Sequence, residues 1–322
     1  MNRRRFLTLS AGTLAAVCAG SLAGGADITS VPMDAASFHA ARRYTRTAFG
    51  RIAHVERGSG PTALFLHGFP LNGFQWRGAL DRLAPHRRCI APDFLGMGHT
   101  EVVDGQSCAP DAQVAMLIAL LDALQVGHTD VVANDSGGAV AQLLVARHPE
   151  RVRSLLLTNC DTEEDCPPPA LLPVIALAKQ GRFVDEWLGR WRRDHALARS
   201  PEGIGGMCYA DPAHPTDDAI ETYFAPLLAS RRSRELAHTY AIALEHNALA
   251  GVGPALARSR VPVRIVWGCA DTIFSADNPG FLDHAFGRSL GVRRLEDSKL
   301  FWPEERPDVI ADEARKLWRT TD

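Results

Sequence analysis

The stretch Thr129-Asp130-Val131-Val132-Ala133-Asn134-Asp135-Ser136-Gly137-Gly138-Ala139 decides how the chain is read. A Val-rich run of strand character ends at Ala133, and a helical segment, Ala139–His148, follows almost at once. Between them, Ala133-Asn134-Asp135-Ser136-Gly137 has the form small-x-nucleophile-x-small. Small flanking residues permit a sharp, strained turn from strand to helix, which lifts the central side chain above the sheet. Ser136 also sits in the pentapeptide Asn134-x-Ser136-x-Gly138, so a carboxyl and a hydroxyl both stand as candidate nucleophiles.

Outward from this turn the chain alternates. Arg51–Val55, Thr62–His67 and Arg88–Pro92 read as short strands, and Gln113–Leu124 as a helix. Downstream, Val152–Thr158, Val263–Gly268 and Val292–Leu295 read as strands, and Pro307–Trp318 as a closing amphipathic helix. Such alternation predicts an α/β fold with a mostly parallel sheet flanked by helices, its ligand site at the carboxyl ends of the strands. The rhythm stops where Pro167-Pro168-Pro169 opens a helical segment carrying Trp187, Trp191, Tyr209, Tyr223, Phe224 and Tyr240. We read residues 163–254 as a helical cap inserted between core strands, with 27–162 and 255–322 as the two parts of the core.

Residues 1–26 read as an address. Arg3-Arg4-x-Phe6-Leu7, an Ala- and Leu-rich stretch and small residues before Ala26 make up a twin-arginine-type export signal, so an exported, periplasmic or extracellular protein is expected. Its removal would take three arginines and leave 32 basic against 37 acidic residues, shifting the formal charge from −2 to −5. That balance, without a basic stripe, argues against a nucleic-acid partner. The remaining chain has no stretch long enough for a membrane span, and its 46% hydrophobic and 22% charged content is that of a globular protein. Six cysteines remain, Cys89, Cys108, Cys160, Cys166, Cys208 and Cys269, with neither a disulfide framework nor a metal-site spacing, and they read as small buried hydrophobes. No cofactor and no metal is expected.

Further motifs fall in order around the turn. They are His67-Gly68-Phe69-Pro70 after the second strand, Asp93-Phe94-Leu95-Gly96-Met97-Gly98 after the next, His148-Pro149-Glu150-Arg151-Val152 closing the helix, and Ile265-Val266-Trp267-Gly268-Cys269-Ala270-Asp271. Together with the turn they resemble the α/β-hydrolase fold family, over nearly the whole chain beyond the signal. In that family two glycines follow the nucleophile by two and three residues, and the proline of His-Pro by fourteen. Counting from Asp135 reaches Gly137, Gly138 and Pro149, whereas counting from Ser136 reaches Gly138, Ala139 and Glu150. The resemblance therefore implies an Asp135 nucleophile and the branch of epoxide hydrolases and haloalkane dehalogenases, in which a carboxylate attacks a saturated carbon to give an alkyl ester.

The same resemblance implies the other roles. Backbone N–H groups of Phe69 and Ser136 would form the oxyanion hole. Asp271 would orient the general base, with Asp161 as the alternative acid. His67 and Trp76 would lie at the substrate, and cap tyrosines Tyr223 or Tyr240 would donate to an epoxide oxygen. The loop sequence and Trp76-Arg77 are more similar to epoxide hydrolases, since the dehalogenases carry Trp after the nucleophile and often Asn in the oxyanion loop, where Ser136 and Phe69 stand here.

One member is missing. The family's catalytic histidine aligns with Leu300, preceded by Lys299, in Ser298-Lys299-Leu300-Phe301-Trp302-Pro303-Glu304-Glu305-Arg306-Pro307, and no histidine follows His284. Three readings are open: Lys299 replaces the base, a histidine such as His99, His238 or His246 swings in, or the chain binds a ligand or runs a lyase-type reaction without completing hydrolysis. The expected function is hydrolysis of a small apolar epoxide or alkyl halide, with a Ser136 esterase and a non-hydrolytic protein as the alternatives.

Overall fold

The computed structural model describes residues 33–319, so the segment read as an export signal lies outside the described residues. Among the described residues nine strands form one sheet: β1 (Arg42–Thr47), β2 (Gly50–Arg57), β3 (Thr62–Leu66), β4 (Arg88–Pro92), β5 (Glu101–Val102), β6 (Thr129–Ala133), β7 (Val152–Thr158), β8 (Val263–Gly268) and β9 (Ser289–Leu295). Their order is β1-β2-β4-β3-β6-β7-β8-β9, with β5 paired to β2. Pairs from β4 through β9 are parallel, and only the β2 pairings are antiparallel.

Every residue of β3 and β6 is buried, because helices cover both faces of the sheet. That explains why neither strand alternates in sequence: β3 is almost wholly apolar, and the one charge in β6, Asp130, is buried only because Arg87 and Arg153 pair with it. Register then aligns the strand ends: Leu66 pairs with Ala133, and Ala133 with Leu157. The residues that follow, His67, Asn134 and Thr158, therefore emerge side by side at one edge.

The helix after β6 spans Ser136–Arg147, three residues longer at its start than the sequence suggested. Glycine disfavours helix interiors by about 1 kcal/mol, which hid this turn. Packing requires it: a Cβ on Gly137 would lie 2.6 Å from the carbonyl oxygens of Leu66 and His67, and one on Gly138 would lie 2.3 Å from Cβ of Cys160. The edge strand β1, Arg-Arg-Tyr-Thr-Arg-Thr, has no fully buried residue, so it carries no apolar period to detect. Asn278–Ala285 is a further helix, with Pro279 in its first turn.

Between β7 and β8 the chain is helical, including Leu172–Lys179, Asp217–Leu228 and Arg231–Ala243. Thr216 and Ser230 cap the last two by accepting from the N–H groups of Ala219 and Ser233. All six cysteines among the described residues are free thiols, four of them buried. No helix among the described residues is long and apolar enough to cross a membrane.

Candidate active site

Asp135 sits at the turn between β6 and the following helix with φ 55° and ψ −133°. An L-residue with positive φ is strained, and the surroundings must hold it there. The Asp135 N–H donates to the Asn159 carbonyl at 2.7 Å, and the Asp135 carbonyl accepts from Gly138 N–H at 2.7 Å. Its carboxylate is held as well: Oδ1 accepts from Ser136 N–H at 2.5 Å and Oδ2 from Phe69 N–H at 3.2 Å. Gly68 permits that approach, since a Cβ there would meet Asp135 Oδ2 at 2.9 Å.

A buried amide network that sequence reading missed fixes this geometry. Gln75 accepts from Gly68 N–H through Oε1 at 2.9 Å and donates through Nε2 to Asn134 Oδ1 at 2.7 Å. Asn134 Nδ2 in turn donates to Thr158 Oγ1 at 2.8 Å and to the Leu300 carbonyl at 3.1 Å. Asn159 Nδ2 donates to Asp271 Oδ2 at 2.9 Å, while its Oδ1 accepts from Trp302 Nε1 at 3.1 Å. Three loops are thereby tied to the elbow. The signal for Asn134 lay in the elbow pentapeptide itself; Gln75 and Asn159 carry none.

Asp135 opens into a cavity of about 140 Å³, close to the roughly 150 Å³ that holds one benzene elsewhere. Phe69, Ser136, Asp161, Phe274 and Leu300 contribute to its wall from the sheet side, and Phe183, Trp187, Trp191 and Met207 from the helices between β7 and β8. The lining is predominantly apolar and aromatic. Phe69 stacks on Phe183 with centroids 5.6 Å apart, and Phe183 leads on to Trp187 at 6.0 Å.

The acids here are pushed toward their neutral forms. Burial raises Asp161 to about 7 and Asp271 to about 6. Asp135 is raised well above the ordinary carboxylate range, first by burial and then by the charge of Asp161, against the pull of its two backbone N–H donors. Asp161 shares the cavity with Asp135, whereas Asp271 stands behind it, held by Asn159 and by Ile273 N–H at 2.8 Å.

Several expected residues lie elsewhere. Lys299 directs its ammonium to the Gly206 carbonyl at 2.6 Å and does not line the cavity, so the structure does not bring it to Asp135. Leu300, whose carbonyl Asn134 pins, occupies the wall where a base was sought. His67 is fully buried outside the cavity, its Nε2 accepting from Phe94 N–H at 3.0 Å and its Nδ1 bonded to the Gly68 carbonyl at 2.8 Å. Both ring nitrogens are thus committed to joining two loops, and burial holds the ring neutral with its pKa down at about 4. Trp76 packs against Phe65 with centroids 5.7 Å apart and does not line the cavity.

The tyrosines divide. Tyr223 donates to Glu304 Oε2 at 2.5 Å, away from the cavity. The Tyr240 hydroxyl is 3.0 Å from Ser136 Oγ, and its ring lies parallel to Phe69 at 5.6 Å. Ser136 therefore has a phenol, not an imidazole, as its partner. None of His99, His238 or His246 lines the cavity. Among the described residues no group of three or more His, Cys, Asp or Glu side chains is placed to hold a metal ion.

Comparison with known proteins converges on one family. A sequence model described as the alpha/beta hydrolase fold matches residues 61–298. A haloalkane dehalogenase of Mesorhizobium japonicum is 44% identical over 111 residues, which span 32% of this chain and only about a third, 34%, of that relative. Haloalkane dehalogenase 2 of Mycobacterium bovis is 24% identical over 84% of this chain and 92% of its own length. The solved structure of the epoxide hydrolase CorEH superposes with a TM-score of 0.72 at 19% identity, covering 87% of this chain and 99% of that one, a likeness of fold.

Proposed function

This chain belongs to the α/β hydrolase fold family, and from that premise we propose that it hydrolyses a small apolar epoxide or alkyl halide through an alkyl ester on Asp135. One observation carries the reading: Asp135 alone combines the strained elbow backbone, a carboxylate held by the N–H groups of Phe69 and Ser136, and an apolar cavity in front of it. A carboxylate is competent at a saturated carbon. Its N–H donors then serve the second half of the cycle, where attack on the ester carbonyl puts negative charge on the oxygen they face.

Among the similar proteins, those named haloalkane dehalogenase and epoxide hydrolase support the same reading. The serine-esterase alternative is weaker, because Ser136 Oγ is bonded to Tyr240 and has no base beside it. Leu300 in the wall favours one second reading, a protein that stalls after alkylation or only binds its ligand.

The test is a panel of small epoxides and alkyl bromides with two variants. Asp135→Asn should lose turnover by at least about a thousandfold, as nucleophile removal does elsewhere, and Ser136→Ala should keep most of it. Full activity in Asp135→Asn with loss in Ser136→Ala would establish the esterase instead.

A further inference from the structure

We propose that Asp161 is the acid–base residue of this site, taking the proton of the attacking water where the family's imidazole is absent; the proposal rests on Asp135 being the nucleophile. Position comes first. Asp161 follows β7, whose Leu157 is paired with Ala133 just before the elbow, so both acids leave neighbouring strands at the same edge. Both line one cavity, and each lies within the field of the other. The backbone at Asp161 is fixed by Gln142 Nε2, which donates to its carbonyl at 2.8 Å.

Elimination comes next. Of the cavity-lining residues, only Asp135, Ser136, Asp161 and Cys208 have side chains able to exchange a proton. Ser136 is tied to Tyr240, and burial pushes the Cys208 thiol well up, so it supplies no thiolate. Asp135 is itself alkylated when the base is needed. Asp161 remains.

Its environment suits the task. The titratable groups facing Asp161 are Asp135 across the cavity, Cys160 beside it, Asp165 and Cys166 on its own loop, and the Tyr240 hydroxyl, with no cation among them. Burial brings its pKa to about 7, where a group can both accept and return a proton near neutrality. Two buried carboxyls in one cavity titrate as a pair. Burial and the charge of Asp161 hold the proton of the resting pair on Asp135, against the N–H donors of Phe69 and Ser136, so the reacting form is the one in which that proton has passed to Asp161.

With an alkyl bromide the steps balance. An Asp135 oxygen forms a bond to carbon as the C–Br bond breaks, and bromide leaves with the electron pair; no proton moves. Alkylation removes the charge of Asp135, so Asp161 ionises more readily. Water then attacks the ester carbonyl while Asp161 takes one of its protons. As the Asp135–alkoxide bond breaks, Asp161 gives that proton to the departing oxygen. The products are the alcohol and an Asp135 carboxyl whose remaining proton restores the singly protonated pair, so the one proton released per turnover is that which Asp161 loses to solvent after alkylation. With an epoxide, protonated Asp161 would supply the ring oxygen's proton during opening and stand ready as the base.

The experiment follows bromide release and intact protein mass with 1-bromobutane. Wild type should release bromide steadily. Asp161→Asn should release one equivalent and stop, retain one butyl group on Asp135, and lose steady turnover by about a hundredfold or more; Asp161→Glu should restore part of it. Continued release by Asp161→Asn at the wild-type rate, with Asp135→Asn inactive, overturns the role of Asp161 alone. Bromide release by Asp135→Asn, or no adduct and no release by wild type, overturns the nucleophile reading beneath it. Should Asp161→Asn give no burst, decay of the wild-type adduct decides: it should accelerate with rising pH and level off, and a rate unchanged from about pH 5 to 9 overturns the proposal.

Discussion

Asp135 and Asp161 are two carboxyls held where carboxyls are least comfortable, in an apolar cavity with no cation facing them. Their raised affinity for protons is a statement about stability. Asp161 titrates near 7, against an ordinary value of 3.8. Its folded form binds the proton more tightly than the unfolded chain, so its contribution to stability is present below about pH 4 and is lost as pH rises through about 7. Asp161→Asn should therefore raise Tm relative to wild type at pH 8, with the difference shrinking toward pH 4; each kcal/mol recovered is worth roughly 2–4 °C. Thermal unfolding across that range is the check, and a variant less stable than wild type at pH 8 would mark Asp161 as a structural support. A site that gains stability when its acid is removed is one where function has been placed against the fold.

The elements show why some of this was legible and some was not. Thr129–Ala133 was readable because its Val131-Val132-Ala133 leads straight into the small residues of the turn, and the closing helix Pro307–Trp318 because only one of its faces is buried. The place of Asp135 at the turn was legible from spacing, since Gly137 is forced by the carbonyls of Leu66 and His67 and Gly138 by the Cys160 side chain. Gln75 was not, because its meaning depends on Asn134, 59 residues away, and no local pattern records such a pairing. Lys299 and Tyr223 lie off the cavity for a related reason. Both are the residue types expected, yet Lys299 is drawn to the Gly206 carbonyl and Tyr223 to Glu304.

Glu304 deserves its own test at this scale. From the short helix Trp302–Glu305 it accepts from Arg77 Nη2 at 3.0 Å and from the hydroxyls of Tyr223 at 2.5 Å and Tyr209 at 3.2 Å. It thereby rivets the helices between β7 and β8 to the core. Glu304→Ala strands a buried guanidinium and two phenols and should cost about 3–5 kcal/mol. Tyr223→Phe removes one hydrogen bond and should cost about 1 kcal/mol. Urea denaturation of both variants measures the difference, and equal small losses would show that the rivet does not bear on stability.

At the scale of the whole molecule, the fold supplies a rigid elbow and the helical insertion supplies a small aromatic enclosure. Neither supplies an imidazole. The sequence announced that vacancy at Leu300 but could not name what replaces it, because proximity to Asp135 is a property of the assembled strand edges. Asp161 was visible only as an alternative acid, and its closeness to Asp135 emerges from the pairing of β6 with β7. The account stands or falls on the covalent ester. A single turnover of excess enzyme with 1-bromobutane in ¹⁸O-labelled water, followed by mass mapping of the Asp135 peptide, tests it most directly. We expect one ¹⁸O in the Asp135 carboxyl and none in the butanol; label in the butanol with an unlabelled Asp135 would mean direct attack by water and would contradict the central claim.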